Sequence, residues 1–152
     1  MKQIRLTEGE LRNIIITAVK HRLNEERSEN TDSKIEELIS FLHNAQKPVR
    51  EIHWNTNEYA LHMVTDETIG DLLKWEDSLA ETYLADRDVE LKVGEKKPES
   101  SEDFKSIVRE LSDLASEVKE AISGNKEYDN IAACVDDIAE TCHSLLYKSQ
   151  LK

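Results

Sequence analysis

The chain has 152 residues, which is enough for one domain with a sizeable core. Its 32 acidic and 20 basic residues give a net charge of −12, which argues against general nucleic-acid binding by its surface, so DNA binding is not expected. No apolar run reaches the ~20 residues of a membrane helix and the amino terminus lacks a secretory hydrophobic region, so we expect a cytoplasmic protein with no membrane contact.

The first predicted element is an amphipathic helix from about Thr7 to Glu26. Thr7 and Glu10 have the spacing of a capping box. Aliphatic side chains follow at helical intervals: Leu11, Ile14, Ile15, Ala18, Val19 and Leu23. The polar run Ser28–Ser33 predicts a linker. We therefore divide the chain into an N-terminal helix and linker, residues 1–30, and a main domain, residues 31–152.

Four more helices are predicted in the main domain. The second helix begins at Asp32 or Ser33 and carries apolar residues at helical spacing up to Ile52, with a kink or short break expected at Pro48. The other predicted elements are a third helix from about Thr56–Tyr59 to Ala85, a charged loop over 86–100, a fourth helix from about Ser100–Asp103 to Gly124, and a last helix whose seam runs from Tyr128 to Leu145. Four helices with one longer central connection are typical of a four-helix bundle.

The third helix is apolar around most of its circumference. Its apolar side chains are Met63, Val64, Ile69, Leu72, Leu73, Trp75, Leu79, Ala80, Tyr83 and Leu84. A bundle helix needs one apolar stripe. Two explanations remain open: a central helix well covered by its own bundle, or a subunit interface along the face that carries His62 and Asp77.

Histidines and acids accompany this helix in an informative order. His53 and His62 are followed by Asp66, Asp77 and Glu81. Imidazole and carboxylate are ligands that iron, manganese and zinc accept. At about 100° per residue, the acids return to within roughly 100° of His62. However, the fifteen residues between His62 and Asp77 span ~22 Å, beyond the reach of one metal ion. Either the two groups serve different purposes, or a second, antiparallel copy brings its acids to these histidines.

Taken singly, these residues also have structural explanations. His53 could bind a backbone carbonyl at a helix terminus, and His62 could pair with Glu58. Asp77 and Glu81 could be solvated acids one helical turn apart. Cys134 and Cys142 have no CxxC partner and are expected to be reduced thiols.

The tripeptide His53-Trp54-Asn55, a second histidine and the later Asp77-x-x-x-Glu81 resemble the Dps, or mini-ferritin, branch of the ferritin-like superfamily. The nine-residue histidine spacing is shorter than usual there and resembles Dps-like proteins of phages and bacteria. The resemblance implies an all-α, ferritin-like four-helix bundle, here with an extra N-terminal amphipathic helix. It also implies a ferroxidase centre between subunits, with His53 and His62 from one subunit, Asp66 as an adjacent acid, and Asp77 with Glu81 from the two-fold partner.

Two functions follow as expectations. The first is iron binding and oxidation at this inter-subunit site, for storage or oxidative protection, with iron or another divalent metal bound and no catalytic residue beyond the metal ligands. The alternative is a non-catalytic, oligomeric structural or interaction protein with a degenerate metal site, found in the host cytoplasm or the virion if phage-encoded. The expected partners are copies of the same chain in two-fold contact, as in a dodecameric shell. We also expect the N-terminal helix to dock onto a neighbouring subunit or another protein, with packing on its own bundle as the alternative.

Overall fold

The computed structural model describes residues 6–85 and 87–151. Its α-helices are α1 Glu8–Asn55, α2 Tyr59–Leu84, α3 Phe104–Ile122 and α4 Asp129–Lys148, and a single 3₁₀ turn, Lys126–Tyr128, precedes α4. No strand occurs among the described residues, which confirms the all-α class. None of the helices in this part of the chain is long and apolar enough to cross a membrane. The chain divides into two compact units, one ending at Asp32 and the other beginning at Ser33.

The predicted linker at Ser28–Ser33 is wrong, because α1 continues through this segment. The run contains polar residues but neither glycine nor proline, so each residue costs a helix only a few tenths of a kcal/mol, up to about 0.7. Thr31 satisfies its hydroxyl within the helix, donating from Oγ1 to the carbonyl of Arg27 at 2.9 Å. The polar run Ser28–Ser33 is therefore helical and not a linker.

Pro48 does not break α1 either, and the helix continues to Asn55. A proline removes one backbone hydrogen bond and crowds the carbonyl four residues earlier. Here Pro48 and Val49 are buried in the core. We attribute the continuity of the helix to this packing, which offsets the lost backbone hydrogen bond.

The N-terminal unit begins with the predicted capping box. Glu10 accepts hydrogen bonds from the backbone N–H of Thr7 at 2.7 Å and from its hydroxyl at 2.8 Å, and Thr7 Oγ1 accepts from the N–H of Glu10 at 3.2 Å. These bonds lower the pKa of Glu10. The large aliphatic side chains that follow are about half exposed: Leu11, Ile14, Ile15, Ile16, Val19 and Leu23.

The second unit is built around one hydrophobic core to which four helical segments contribute. Residues 35–49 of α1 supply seven buried apolar side chains: Ile35, Leu38, Ile39, Phe41, Leu42, Ala45 and Val49. Each of the other helices supplies a stripe at spacings of three and four, including Trp75 on α2, Leu111 on α3 and Ile138 on α4. This is the periodicity from which the helices were predicted.

Contacts between the helices define the topology of this unit. Helices α1 and α2 are antiparallel, because residues later in α1 contact residues earlier in α2, in the pairs Glu36–Tyr83, His43–Glu76 and His53–Thr65. The same holds on α2 and α4, in the pairs Glu67–Lys148 and Trp75–Asp137. Since α3 and α4 form an antiparallel hairpin joined by Lys119–Asp136, α2 and α3 run in the same direction. The connection over residues 85–103 must therefore cross the bundle.

This crossover is anchored to α1 at Gly94. The backbone N–H of Gly94 donates to Ser40 Oγ at 2.8 Å, and Asn44 Nδ2 donates to the carbonyls of Gly94 and Lys96 at 3.0 and 2.8 Å. A Cβ on residue 94 would lie 3.2 Å from Ser40 Oγ, so the close approach favours glycine. The crossover leaves the α1–α2 corner, which carries both histidines, at the opposite end of α2.

Candidate metal centre

The two candidate histidines face each other across the corner between α1 and α2. His53 lies in the last turn of α1 and His62 in the first turn of α2. The corner is short because Thr56 N–H donates to the carbonyl of Ile52 at 3.0 Å and Glu58 N–H donates to Thr56 Oγ1 at 3.1 Å. The imidazole rings stack, with centroids 4.1 Å apart and planes 21° from parallel.

The same atom of each ring lies against the backbone of the other histidine. His53 Nδ1 is 3.0 Å from the carbonyl oxygen of His62, and His62 Nδ1 is 3.2 Å from the carbonyl oxygen of His53. Because a carbonyl oxygen only accepts hydrogen bonds, both Nδ1 atoms must carry the proton. In the neutral rings the lone pair is then on Nε2, which is the atom free to bind a metal. The structural explanation of His53 as a carbonyl-binding residue is thus compatible with a ligand role.

Asp66 lies next to this pair. Its Oδ1 is 4.0 Å from His53 Nε2, and its side chain is 71% exposed, whereas that of His53 is 15% exposed. His53 also approaches Thr65, whose Oγ1 lies 3.2 Å from Nδ1 and donates to the carbonyl of Leu61. The structure therefore brings together His53, His62 and Asp66, and Thr65 is a neighbour that the sequence did not indicate.

Asp77 and Glu81 are exposed on the same outward side of α2 but far along the helix from the histidines. No group of three histidine, cysteine or acidic side chains that could hold a metal ion occurs within the described part of a single chain, so His53, His62 and Asp66 do not form a three-ligand site by themselves. The fifteen-residue separation from His62 to Asp77, ~22 Å of helix, keeps the other two candidate residues apart from them in one subunit.

A polar group that the sequence did not indicate lies between α2 and α4. Asp71 is half-buried, and its Oδ2 is enclosed without a hydrogen-bond partner. Burial, followed by the nearby carboxylate of Glu67, raises the pKa of Asp71. Cys142 is buried beside it, and burial raises the pKa of that thiol to about 12. Both cysteines are free, and the Cys142 thiol stays protonated at neutral pH, which makes it unreactive.

Comparison with known proteins identifies a family without assigning a function. Residues 53–149 match the family described as "Family of unknown function (DUF5856)". The matched segment begins at His53 and contains all five candidate residues. No curated protein and no solved structure matches the chain significantly. Since the match covers more than half of the sequence, the chain belongs to DUF5856, a family of unknown function.

Proposed function

We propose that this protein is a Dps-like member of the ferritin-like superfamily that binds Fe²⁺ at a site shared by two subunits and oxidises it, for iron storage or oxidative protection. The observation that carries the proposal is the stacked histidine pair. Each Nδ1 is bound to the opposite carbonyl, so both Nε2 atoms are available to a metal, and a carboxylate lies 4.0 Å from one of them.

The topology of the second unit supports the proposal. A bundle with two antiparallel hairpins and one long crossover connection is the arrangement of ferritin-like folds. Here that connection joins the parallel helices α2 and α3 and is held to α1 through Ser40 and Asn44. The histidine corner joins the two helices of the first hairpin, which places two imidazoles on adjacent elements of a rigid scaffold.

The donor set suits iron as a substrate. His53 and His62 would supply imidazole nitrogen, which suits Fe²⁺, and Asp66 with the partner's Asp77 and Glu81 would supply the hard oxygen that favours Fe³⁺. One hydrogen peroxide, two protons and one electron from each of two Fe²⁺ ions give two Fe³⁺ and two water molecules. The residues of this chain hold and orient the metal, and no further catalytic side chain is required. The net charge of −12 would raise the local concentration of cations.

A mixing experiment tests whether the site is shared. His62→Ala and Glu81→Ala should weaken iron binding at the site to the same extent, because each removes a ligand from one half of it. In a mixed dimer of the two variants, one site lacks both residues and the other is intact. Mixing after reversible dissociation should therefore restore iron binding and oxidation, measured by anaerobic Fe²⁺ titration and by ultraviolet absorbance of Fe³⁺.

The controls are His143→Ala and Glu120→Ala, which change the same residue types at exposed positions on α4 and α3. Both should bind iron as the unmodified protein does. The iron assignment fails if the unmodified protein binds no iron, or if it binds another divalent metal instead of iron. If the variants lose binding but mixing restores none, the shared-site geometry fails.

The alternative is a non-catalytic oligomeric protein, phage-encoded, that acts in the host cytoplasm or the virion and has a degenerate site. One observation favours it: the exposed aliphatic side chains of the N-terminal unit, which suit a docking role. A kink at Pro48 that displaced His53 would also have favoured it, but α1 reaches His53 without a break. Assembly with unchanged metal content in the His62→Ala variant would favour this alternative.

A further inference from the structure

The outward face of α2 combines exposed apolar side chains with a glycine. Tyr59, Met63 and Leu73 expose 78%, 49% and 45% of their surface. Gly70 lies on the same face, and apart from the adjacent backbone of its own helix no described atom lies within 4 Å of the position that its Cβ would occupy. Glycine inside a helix is unfavourable, and no side chain of the described residues fills the space beside it. A close approach by another helix backbone would use it.

We infer that a second copy of this chain packs antiparallel on this face of α2, with the two-fold axis beside Gly70. The inference deepens the proposed function and rests on it, because it names the contact that would complete the shared site. It also makes separate predictions about which residues meet. In an antiparallel pair, residues at equal distances before and after Gly70 lie opposite one another.

One flank of this contact pairs histidine with acid. His62 is eight residues before Gly70 and Asp77 is seven after it. His62 of one copy and Asp77 of the other therefore lie at the same height along the helices to within about one residue, or ~1.5 Å. At about 100° per residue both lie on the same side of Gly70. A two-fold axis in the contact plane brings equivalent flanks of the two helices together. His62 therefore faces the partner's Asp77, and the reverse pair forms at the other end.

The other flank pairs opposite charges in the same register. Glu67 is three residues before Gly70 and Lys74 is four after it, and both lie on the side away from His62. Within one chain, Lys148 Nζ is 2.6 Å from Glu67 Oε1 and Lys74 Nζ is 3.6 Å from Asp137 Oδ2. Placing Glu67 against the partner's Lys74 joins these pairs into a row of alternating charge. One register therefore places a histidine opposite a carboxylate on one flank and opposite charges together on the other.

The apolar residues fit this register as well. Four exposed residues at positions i, i+3, i+4 and i+7 of α2 surround a hole that can accept one side chain of a facing helix: Met63, Asp66, Glu67 and Gly70. The position opposite the centre of this hole is Leu73 of the partner. Met63 and Glu67 also line an open, mainly apolar groove of about 430 Å³. Leu73 would thus be covered by the second copy.

Cross-linking tests the position of the axis. In a Cys134→Ser background, Gly70→Cys places one thiol beside the axis, and the two copies should form an intermolecular disulfide rapidly, with oxidised glutathione accepting the two electrons. The control is Ser116→Cys, at an exposed position on α3. The inference would be overturned if Gly70→Cys formed the intermolecular disulfide no faster than Ser116→Cys. Cys142 is buried and remains in both variants.

A charge substitution tests the packing. Leu73→Lys should shift the native mass towards the monomer, with at least a tenfold weaker association, while circular dichroism shows the helices intact. Val89→Lys makes the same kind of change at a loop position that is similarly exposed, and should associate normally. Unchanged association of Leu73→Lys would refute this contact. A cross-linked dimer that binds no iron would reject only the proposed function, whereas sites restored by mixing without cross-linking at residue 70 would reject only this register.

Discussion

Replacing Gly70 by alanine should have opposite effects on the folding of one chain and on the association of two. Apart from the adjacent backbone of its own helix, a methyl group at residue 70 would meet no described atom within 4 Å, and the backbone of this residue has no positive φ. The substitution therefore adds helix propensity without a clash. Relative to glycine, alanine in a helix interior contributes about 1 kcal/mol. For a chain of this size, that raises the midpoint of thermal unfolding by roughly 2–4 °C.

In the proposed dimer the same methyl group faces its symmetry copy across the axis. The two helices must move apart, which loosens every contact on the outward face of α2. A loss of only about 1.4 kcal/mol weakens association tenfold. The Gly70→Ala protein should thus be more stable than the unmodified protein at concentrations where both are monomers, and should dissociate at higher concentration.

Thermal unfolding by circular dichroism across a concentration series, with sedimentation analysis, measures both effects. Ser116→Ala is the control: this residue is exposed in the interior of α3, and alanine also raises helix propensity there. This control should leave the association of the two copies unchanged. If Gly70→Ala raises the unfolding temperature at every concentration with unchanged association, the glycine is not at a helix crossing and the two-fold register is refuted.

Three further predictions concern the rest of the molecule. Burial raises the pKa of Asp71, so the fold loses stability as the pH rises from the ordinary pKa of an aspartate to the raised pKa of Asp71. Asp71→Asn should therefore stabilise the fold at pH 7, by less than about 1 kcal/mol because solvent screens this partly exposed carboxyl, and by less at acidic pH, measured by urea unfolding. Trp75→Phe should cost about 2 kcal/mol, because Trp75 is 1% exposed and donates to Asp137 at 2.8 Å, whereas Trp54→Phe, at 71% exposure, should change the unfolding free energy little. A chain beginning at Thr31 should form a smaller assembly if the N-terminal helix docks between subunits, or an unchanged assembly that loses an outside partner; loss of thermal stability with the assembly unchanged would favour packing on its own bundle.

The helices of the second unit were predictable because each buries one stripe. The expected third helix, from Thr56–Tyr59 to about Ala85, corresponds to α2 at Tyr59–Leu84, and the fourth to α3 at Phe104–Ile122. The errors concern Ser28–Ser33 and Pro48, where local composition suggested interruptions. At Ser28–Ser33 the cost to the helix is only a few tenths of a kcal/mol per residue, too little to end it. At Pro48 the cost is about 3 kcal/mol, and we attribute its compensation to the burial of Pro48 and Val49.

The chemistry of the histidines was only partly accessible from the sequence. Spacing indicated that His53 and His62 could be ligands, but not that their rings stack or that each Nδ1 lies against the other's carbonyl. Those contacts depend on the angle at the corner between α1 and α2. The structure also distinguishes the apolar side chains of α2 that its own chain covers from those that it leaves exposed: Val64, Leu72 and Trp75 are buried, while Met63 and Leu73 remain exposed. The expected second stripe is therefore narrower than the sequence suggested.

A site divided between the two ends of α2 would couple metal binding to assembly. Along α2, Asp77 lies ~22 Å and Glu81 ~28 Å from His62 in one chain, so a monomer could offer a metal only part of the ligands. A metal that binds the dimer and not the monomer stabilises the dimer by mass action, and its apparent affinity rises with protein concentration. Substitutions at Gly70 and Leu73, which are not themselves candidate ligands, should then weaken iron binding in proportion to their effect on association. That dependence would separate a site shared across the axis from one completed within a single subunit, whose affinity would not vary with protein concentration.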